Sequence, residues 1–131
     1  MIVLDTHIWL WWVSEPETLS KKARQAIQGA SAEQGVVISS MSTWEIAMLV
    51  QKGRLEFSID VRDWIRKTEA LPFVSFVPVD NTIALRSVNL PGLFHQDPAD
   101  RIIVATALSL GLPIVTKDEK IQRYEHVKSI W

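Results

Sequence analysis

Two aspartates bracket a proline in FHQDPADR (94–101), which runs into the apolar stretch IIVATALSLG. Asp97-Pro98 reads as a helix start, with Asp97 as N-cap and Pro98 at the first helical position. One carboxylate is enough for that. Asp100 stands one turn further in and could serve as a metal ligand. Other acids stand just beyond candidate strands: Asp5 after IVL, Glu45 one turn into the helix after VVIS, and Asp118 after PIVT. Hydroxyls lie beside them at Thr6, Ser39, Ser40 and Thr116. Taken singly, each acid is better explained as a helix cap, favoured by the macrodipole. Ser42-Thr43-Trp44-Glu45 even has the spacing of a capping box. Taken together, three or four half-buried carboxylates at one sheet edge would repel one another and lose hydration. Folding alone does not favour that crowding, and a divalent cation would reverse its sign. The chain has no cysteine, so an all-oxygen site points to a hard ion, Mg²⁺ or Mn²⁺.

Other chemistries find little support. His7, His95 and His126 are far apart and form no zinc pattern; they read as structural or surface residues. The five glycines match neither a dinucleotide fingerprint nor a P-loop. Ser39, Ser40 and Ser42 lack the context of a nucleophile elbow. The net charge of −1 offers no bulk attraction to nucleic acid, so binding to RNA would need a local basic patch or bound cations. The apolar N-terminal stretch carries Asp5 and no basic leader, and 102–115 is too short and interrupted to span a bilayer. A soluble, cytoplasmic protein without membrane contact is expected.

The elements that must position these acids follow from hydrophobic period. Short β-branched runs at 2–5, 36–39, 74–79, 113–116 and 126–130 read as strands. Helices are expected at 7–13, 19–30 with Ser20 as cap, 42–52, 61–71, 80–88 behind Asp80, and 98–110 ending at Gly111. A short helical turn follows 116. This alternation, within 131 residues and without repeats or linkers, predicts one α/β domain spanning 1–131, with a parallel sheet and helices on both faces. Ligands in such sheets bind beyond the carboxyl ends of the strands, where the acids fall.

Four blocks, IVLDTHIWLWW, SSMSTWEIAMLVQKGRL, HQDPADRIIVATAL and LPIVTKDEKIQRY, resemble the PIN-domain nucleases of the VapC toxin type, in that order and over nearly the whole chain. The resemblance implies a three-layer α/β/α fold with a five-stranded parallel sheet of order 3-2-1-4-5. It implies Asp5, Glu45, Asp100 and Asp118 as an acid quartet that binds one or two Mg²⁺ or Mn²⁺ ions and cuts RNA. Thr6 and Thr116 match hydroxyl positions that would orient those ligands, with Asp97 as a neighbouring acid, and Arg101 matches an arginine that would reach the substrate. The implied partners are an RNA substrate, a like subunit in a homodimer, and a VapB-type antitoxin.

Two rival readings share the fold class. A receiver-like signalling domain would need a phosphorylatable Asp at the end of a central strand, and only Asp80 in VSFVPVD is available. A catalytically silent binding module would be marked by a missing acid, and none is missing. Surplus apolar surface is also expected. HIWLWWV is apolar nearly all round, and the 42–52 helix carries Trp44, Ala47 and Met48 away from Ile46, Leu49 and Val50. A surface helix needs only one buried face, so the Trp-rich remainder would suit a protein contact.

Overall fold

The computed structural model describes all of residues 1–131. Five short parallel strands, β1 (Ile2–Leu4), β2 (Val36–Ser39), β3 (Val74–Val77), β4 (Ile114–Val115) and β5 (Ser129–Ile130), form one sheet of order β3-β2-β1-β4-β5. The register is set by Ile2 opposite Val36 and by Val3 opposite Ile114. Seven helices connect and cover it: α1 (Thr6–Ser14), α2 (Lys21–Ala32), α3 (Ser40–Gln51), α4 (Val61–Glu69), α5 (Asn81–Val88), α6 (Pro98–Leu110) and α7 (Glu119–Gln122).

The period-two alternation of the strands divides the core into two halves. Ile2, Leu4, Val36, Ile38 and Val115 face a cluster that includes Ile8, Trp9, Ala23, Ile27, Ile46 and Trp64. Val3, Val37 and Ile114 face the other way, onto Ile83, Ile103, Val104, Ala107 and Ile121. Both faces of the central strands are therefore dry, as a parallel sheet requires. Trp9 is the largest fully buried side chain. Its indole N–H donates to Thr68 Oγ1 at 3.0 Å, and its ring packs against Trp64 and Phe76. The buried polar atom is thus satisfied, and the aromatic surface pins α1 against α4 and β3.

Most expected elements are present, with shifted ends. Strand β3 stops at Val77 because Pro78 has no N–H for the ladder. The last strand is only Ser129–Ile130. Helix α6 ends at Gly111 as expected, in the left-handed conformation at φ 67°. Helix α3 begins earlier than expected. Ser39 accepts from the Met41 N–H and caps it, so Ser42 and Glu45 lie inside the helix and form no capping box. No helix is long and apolar enough to cross a membrane.

Strand order reverses at β1: β2 and β3 lie to one side, β4 and β5 to the other. The crevice beyond the carboxyl ends of β1 and β4 is the topological switch point, where open α/β sheets place ligands. Asp5 leaves β1 there, and Thr116 and Asp118 follow β4.

Candidate metal-binding acid site

Each acid is held by the backbone of the element it begins or sits on. Asp5, almost fully buried, caps α1. Its Oδ1 accepts from the Thr6 N–H at 2.8 Å, and its Oδ2 accepts from the Thr116 hydroxyl at 2.7 Å. Thr116 in turn accepts from the Asp118 N–H at 3.0 Å, which ties the ends of β1 and β4 together. Asp118 caps α7, with Oδ1 accepting from the N–H groups of Lys120 and Ile121. Asp97 caps α6 by accepting from the Asp100 N–H at 3.0 Å. Glu45 reaches across from α3 and accepts from the Thr6 hydroxyl. Thr6 has one proton, so the Ser42 hydroxyl, 2.8 Å away, must donate to it. Thr6 and Thr116 therefore play matching parts. Each hydroxyl donates to one acid and accepts from a group behind it, which fixes where the acid points.

Crowding shows in the electrostatics. Burial is the main reason the Asp100 carboxyl is pushed up to about 7, with further upward pressure from Asp5, Asp97, Asp118 and Glu45. Glu45 is also raised, first by burial and then by Asp5 and Asp97, against the Thr6 hydrogen bond that pulls it down. The four other acids therefore all lie within electrostatic reach of Asp100. No group of three His, Asp or Glu side chains is arranged to enclose an ion as the chain stands. The acids are gathered at one edge without being closed around a point. The donor set fits a hard divalent ion on two grounds: it is all oxygen, and its charge is left without a cation within salt-bridge distance except for two histidines.

Those histidines are what sequence reasoning missed. His7 Nδ1 lies 3.5 Å from Asp5 Oδ2, and His7 Nε2 accepts from the Lys117 N–H at 3.1 Å. His95 Nε2 lies 3.1 Å from Asp100 Oδ2 but is poorly aligned and makes no hydrogen bond. Read as structural or surface residues from sequence, both in fact lie against an acid of the site. His7 stands two positions from Asp5, and that spacing was an available signal; His95 meets Asp100, five positions on, a pairing with no such local signal. Arg101 has a structural role that its sequence position did not announce. Its guanidinium donates to the carbonyls of Ser87, Phe94 and His95 at 2.8, 3.0 and 3.2 Å, and more weakly to Val88. It clamps the loop ahead of α6. Its neighbour Asp100 faces another way, because adjacent helical residues point about 100° apart.

Two grooves flank the acids. One, of about 390 Å³, lies between α3 and α6 and is lined by Met41, Trp44, Met48 and Pro98, with Glu45 and Asp97 at its edge. Trp44 there is 58% exposed, so the expected surplus aromatic surface exists. The largest groove, about 580 Å³ and lined by Lys120, Arg123 and Tyr124, adjoins the acids only through His95. Size therefore does not mark the chemical site; the acids do.

Asp97→Ala tests the capping role directly. Loss of the Asp100 N–H acceptor should destabilise the fold by roughly 0.5–2 kcal/mol, read as a lowered midpoint in urea. An unchanged midpoint would mean that the cap contributes nothing.

A five-stranded 3-2-1-4-5 sheet with acids gathered at its switch point is the architecture of a PIN domain, and residues 2–127 match that family; the chain belongs to it. It is 34% identical over 129 residues to ribonuclease VapC22 of Mycobacterium tuberculosis, covering 98% of this chain and 95% of that protein. Among solved structures, VapBC2 from Rickettsia felis, bound to a DNA fragment from its promoter, matches with a TM-score of 0.73 at 15% identity, over 98% of this chain and 97% of the other. FitAcB from Neisseria gonorrhoeae matches with a TM-score of 0.69 at 21% identity, over 98% and 96%.

Proposed function

We propose that this protein is a divalent-metal-dependent endoribonuclease of the VapC type, the toxin of a toxin–antitoxin pair. The observation that carries the reading is the gathering of Asp5, Glu45, Asp100 and Asp118 at the switch point with no Lys or Arg paired to them; burial first, and then the neighbouring acids, push Asp100 up to about 7. The whole-length likeness to a curated ribonuclease supports it. Those four acids would hold Mg²⁺ or Mn²⁺, which when bound lowers the pKa of a water and polarises a phosphoryl oxygen.

The chain's own residues have definable tasks. Thr116 fixes Asp5 against Asp118, and Thr6 fixes Glu45, so the ligands do not reorganise as charge develops. Asp118 uses one oxygen on backbone N–H groups and keeps the other for ligation or for accepting a proton from the attacking water. Ile103 and Val104, fully buried one turn below Asp100, anchor α6 and hold that carboxylate in place.

A VapB-type antitoxin and a homodimer complete the proposal, in the cytoplasm. Exposed Trp44 beside the acids, and exposed Leu85 and Val88 on α5, supply apolar surface of the kind protein partners cover.

The reading is tested by incubating the purified protein with labelled single-stranded RNAs in Mg²⁺, Mn²⁺ or EDTA. Cleavage only with metal is expected, and full cleavage in EDTA would overturn it. Stability should report the same ions. At 100 times its dissociation constant a cation adds about 2.7 kcal/mol, and the rise in thermal midpoint should be larger at pH 8 than at pH 5, where Asp100 is protonated. Equal shifts at both pH values would place the ion elsewhere.

A further inference from the structure

A strip of aromatic rings leads outward from the acid site. It begins at His7, 3.5 Å from Asp5. The His7 ring meets Trp11 edge-on at 5.0 Å, and Trp11 meets Trp131 at 6.0 Å. Lys117 lies over this strip. Its ammonium is 5.7 Å from the Trp11 ring centre and 5.8 Å from that of Trp131, both within cation–π range. Its backbone N–H is held by His7 Nε2. Lys117 is also flanked in sequence by Thr116, which binds Asp5, and by the acid Asp118. Lys117 forms no ion pair; two indoles hold it instead.

A lysine stem lying on apolar rings is common for packing reasons alone. What sets this one apart is the combination. The side chain is exposed and its ammonium is free of carboxylates. Its backbone is fixed to a histidine that itself touches an acid, and it sits on the strand-end loop that carries Asp118. A cation with aromatic faces beside it is how single strands are held without sequence readout: the charge takes a backbone phosphate and a ring takes an unpaired base. Arg101, the other cation next to these acids in sequence, is consumed by carbonyls.

We propose that Lys117, carried on Trp11 and Trp131, binds a phosphate of the RNA strand next to the one that is cut, and so positions the scissile bond over the acids. This rests on the ribonuclease reading above and adds a residue to it. Lys117→Gln should raise KM for a single-stranded RNA about threefold to tenfold at low salt and leave kcat within about twofold. The slope of log binding constant against log salt should fall by about 0.7, the value for one single-strand phosphate. Binding is measured by anisotropy of a fluorescein-labelled single-stranded RNA, with Asp100→Asn as the parent so that the strand stays intact. Lys117→Arg should restore most of the affinity and the slope, which a packing role would not predict. An unchanged KM and salt slope in Lys117→Gln would overturn the proposal, as would a fall in kcat alone. If the wild type cleaves RNA while Lys117→Gln behaves identically, only this proposal falls. If the wild type cleaves no RNA and the parent binds none, both readings fall.

Discussion

Asp100→Asn is expected to abolish RNA cleavage and, in EDTA at pH 8, to raise the thermal midpoint. The two effects have one origin. Asp100 ordinarily titrates near 3.8, but burial and four neighbouring acids push it up to about 7 in the fold. Between those values the folded chain holds a proton that the unfolded chain has released. Stability therefore falls as pH rises from about 4 to about 7, and the loss is complete above 7. Its ceiling is about 4 kcal/mol by the size of the shift, less after screening by solvent at a partly exposed carboxyl. Asparagine keeps the shape and cannot ionise, so the variant should escape that loss and show a flatter stability profile than the wild type across this window. Cleavage should drop by about 10²–10⁴-fold, because one ligand charge is gone. Parallel melts at pH 4, 6 and 8 with and without Mg²⁺ check it. A variant that melts below the wild type at pH 8 in EDTA would show that the acids are not strained against one another. A variant that still cleaves at the wild-type rate would remove Asp100 from the site.

That double signature also explains why the site was only partly legible in the sequence. Capping and ligation looked like alternatives for each acid, to be weighed one against the other. In the fold a cap does not use up the acid. Asp118 spends one oxygen on Lys120 and Ile121 and keeps a second. Asp5 caps α1 while its other oxygen accepts from Thr116. A carboxylate has about four lone-pair sites, so a capping acid is oriented by its cap and still has lone pairs free. Asp97 fits its expected role, since Asp-Pro at a helix start leaves few other local arrangements. Ser42 and Glu45 did not form the expected capping box. The spacing was right, but Ser39 already stood at the end of β2 and capped the helix first. Glu45 was then left to meet Thr6, 39 positions away in the chain, a pairing no local pattern contains. The parallel sheet was more accessible, because alternating short apolar runs and amphipathic helices constrain topology strongly; its strand order was implied only by the family resemblance.

Arg101 gives the sharpest contrast between sequence position and structural role, and its variants should separate the two. Its guanidinium satisfies carbonyls at Ser87, Val88, Phe94 and His95, which gathers the segment between α5 and α6 and seats the start of the helix that carries Asp100. Hydrogen bonds from a charged donor are worth about 1.5–3 kcal/mol each, and they are not additive on one group. Arg101→Ala should therefore cost roughly 2–4 kcal/mol and lower the thermal midpoint by about 10 °C for a chain of this size. Arg101→Lys should recover only part of that, since a single ammonium cannot serve four carbonyls arranged around a planar fork. The substrate-contact reading makes the opposite forecast: an unchanged midpoint, a raised KM for RNA and a salt slope reduced by one phosphate. In the clamp reading kcat falls with the loosening of His95 and Asp100, while the salt slope measured below the melting transition stays at the wild-type value. Melting curves and salt titrations on the same two variants decide between them, and a stable Arg101→Ala protein with a shallower salt dependence would return Arg101 to the substrate.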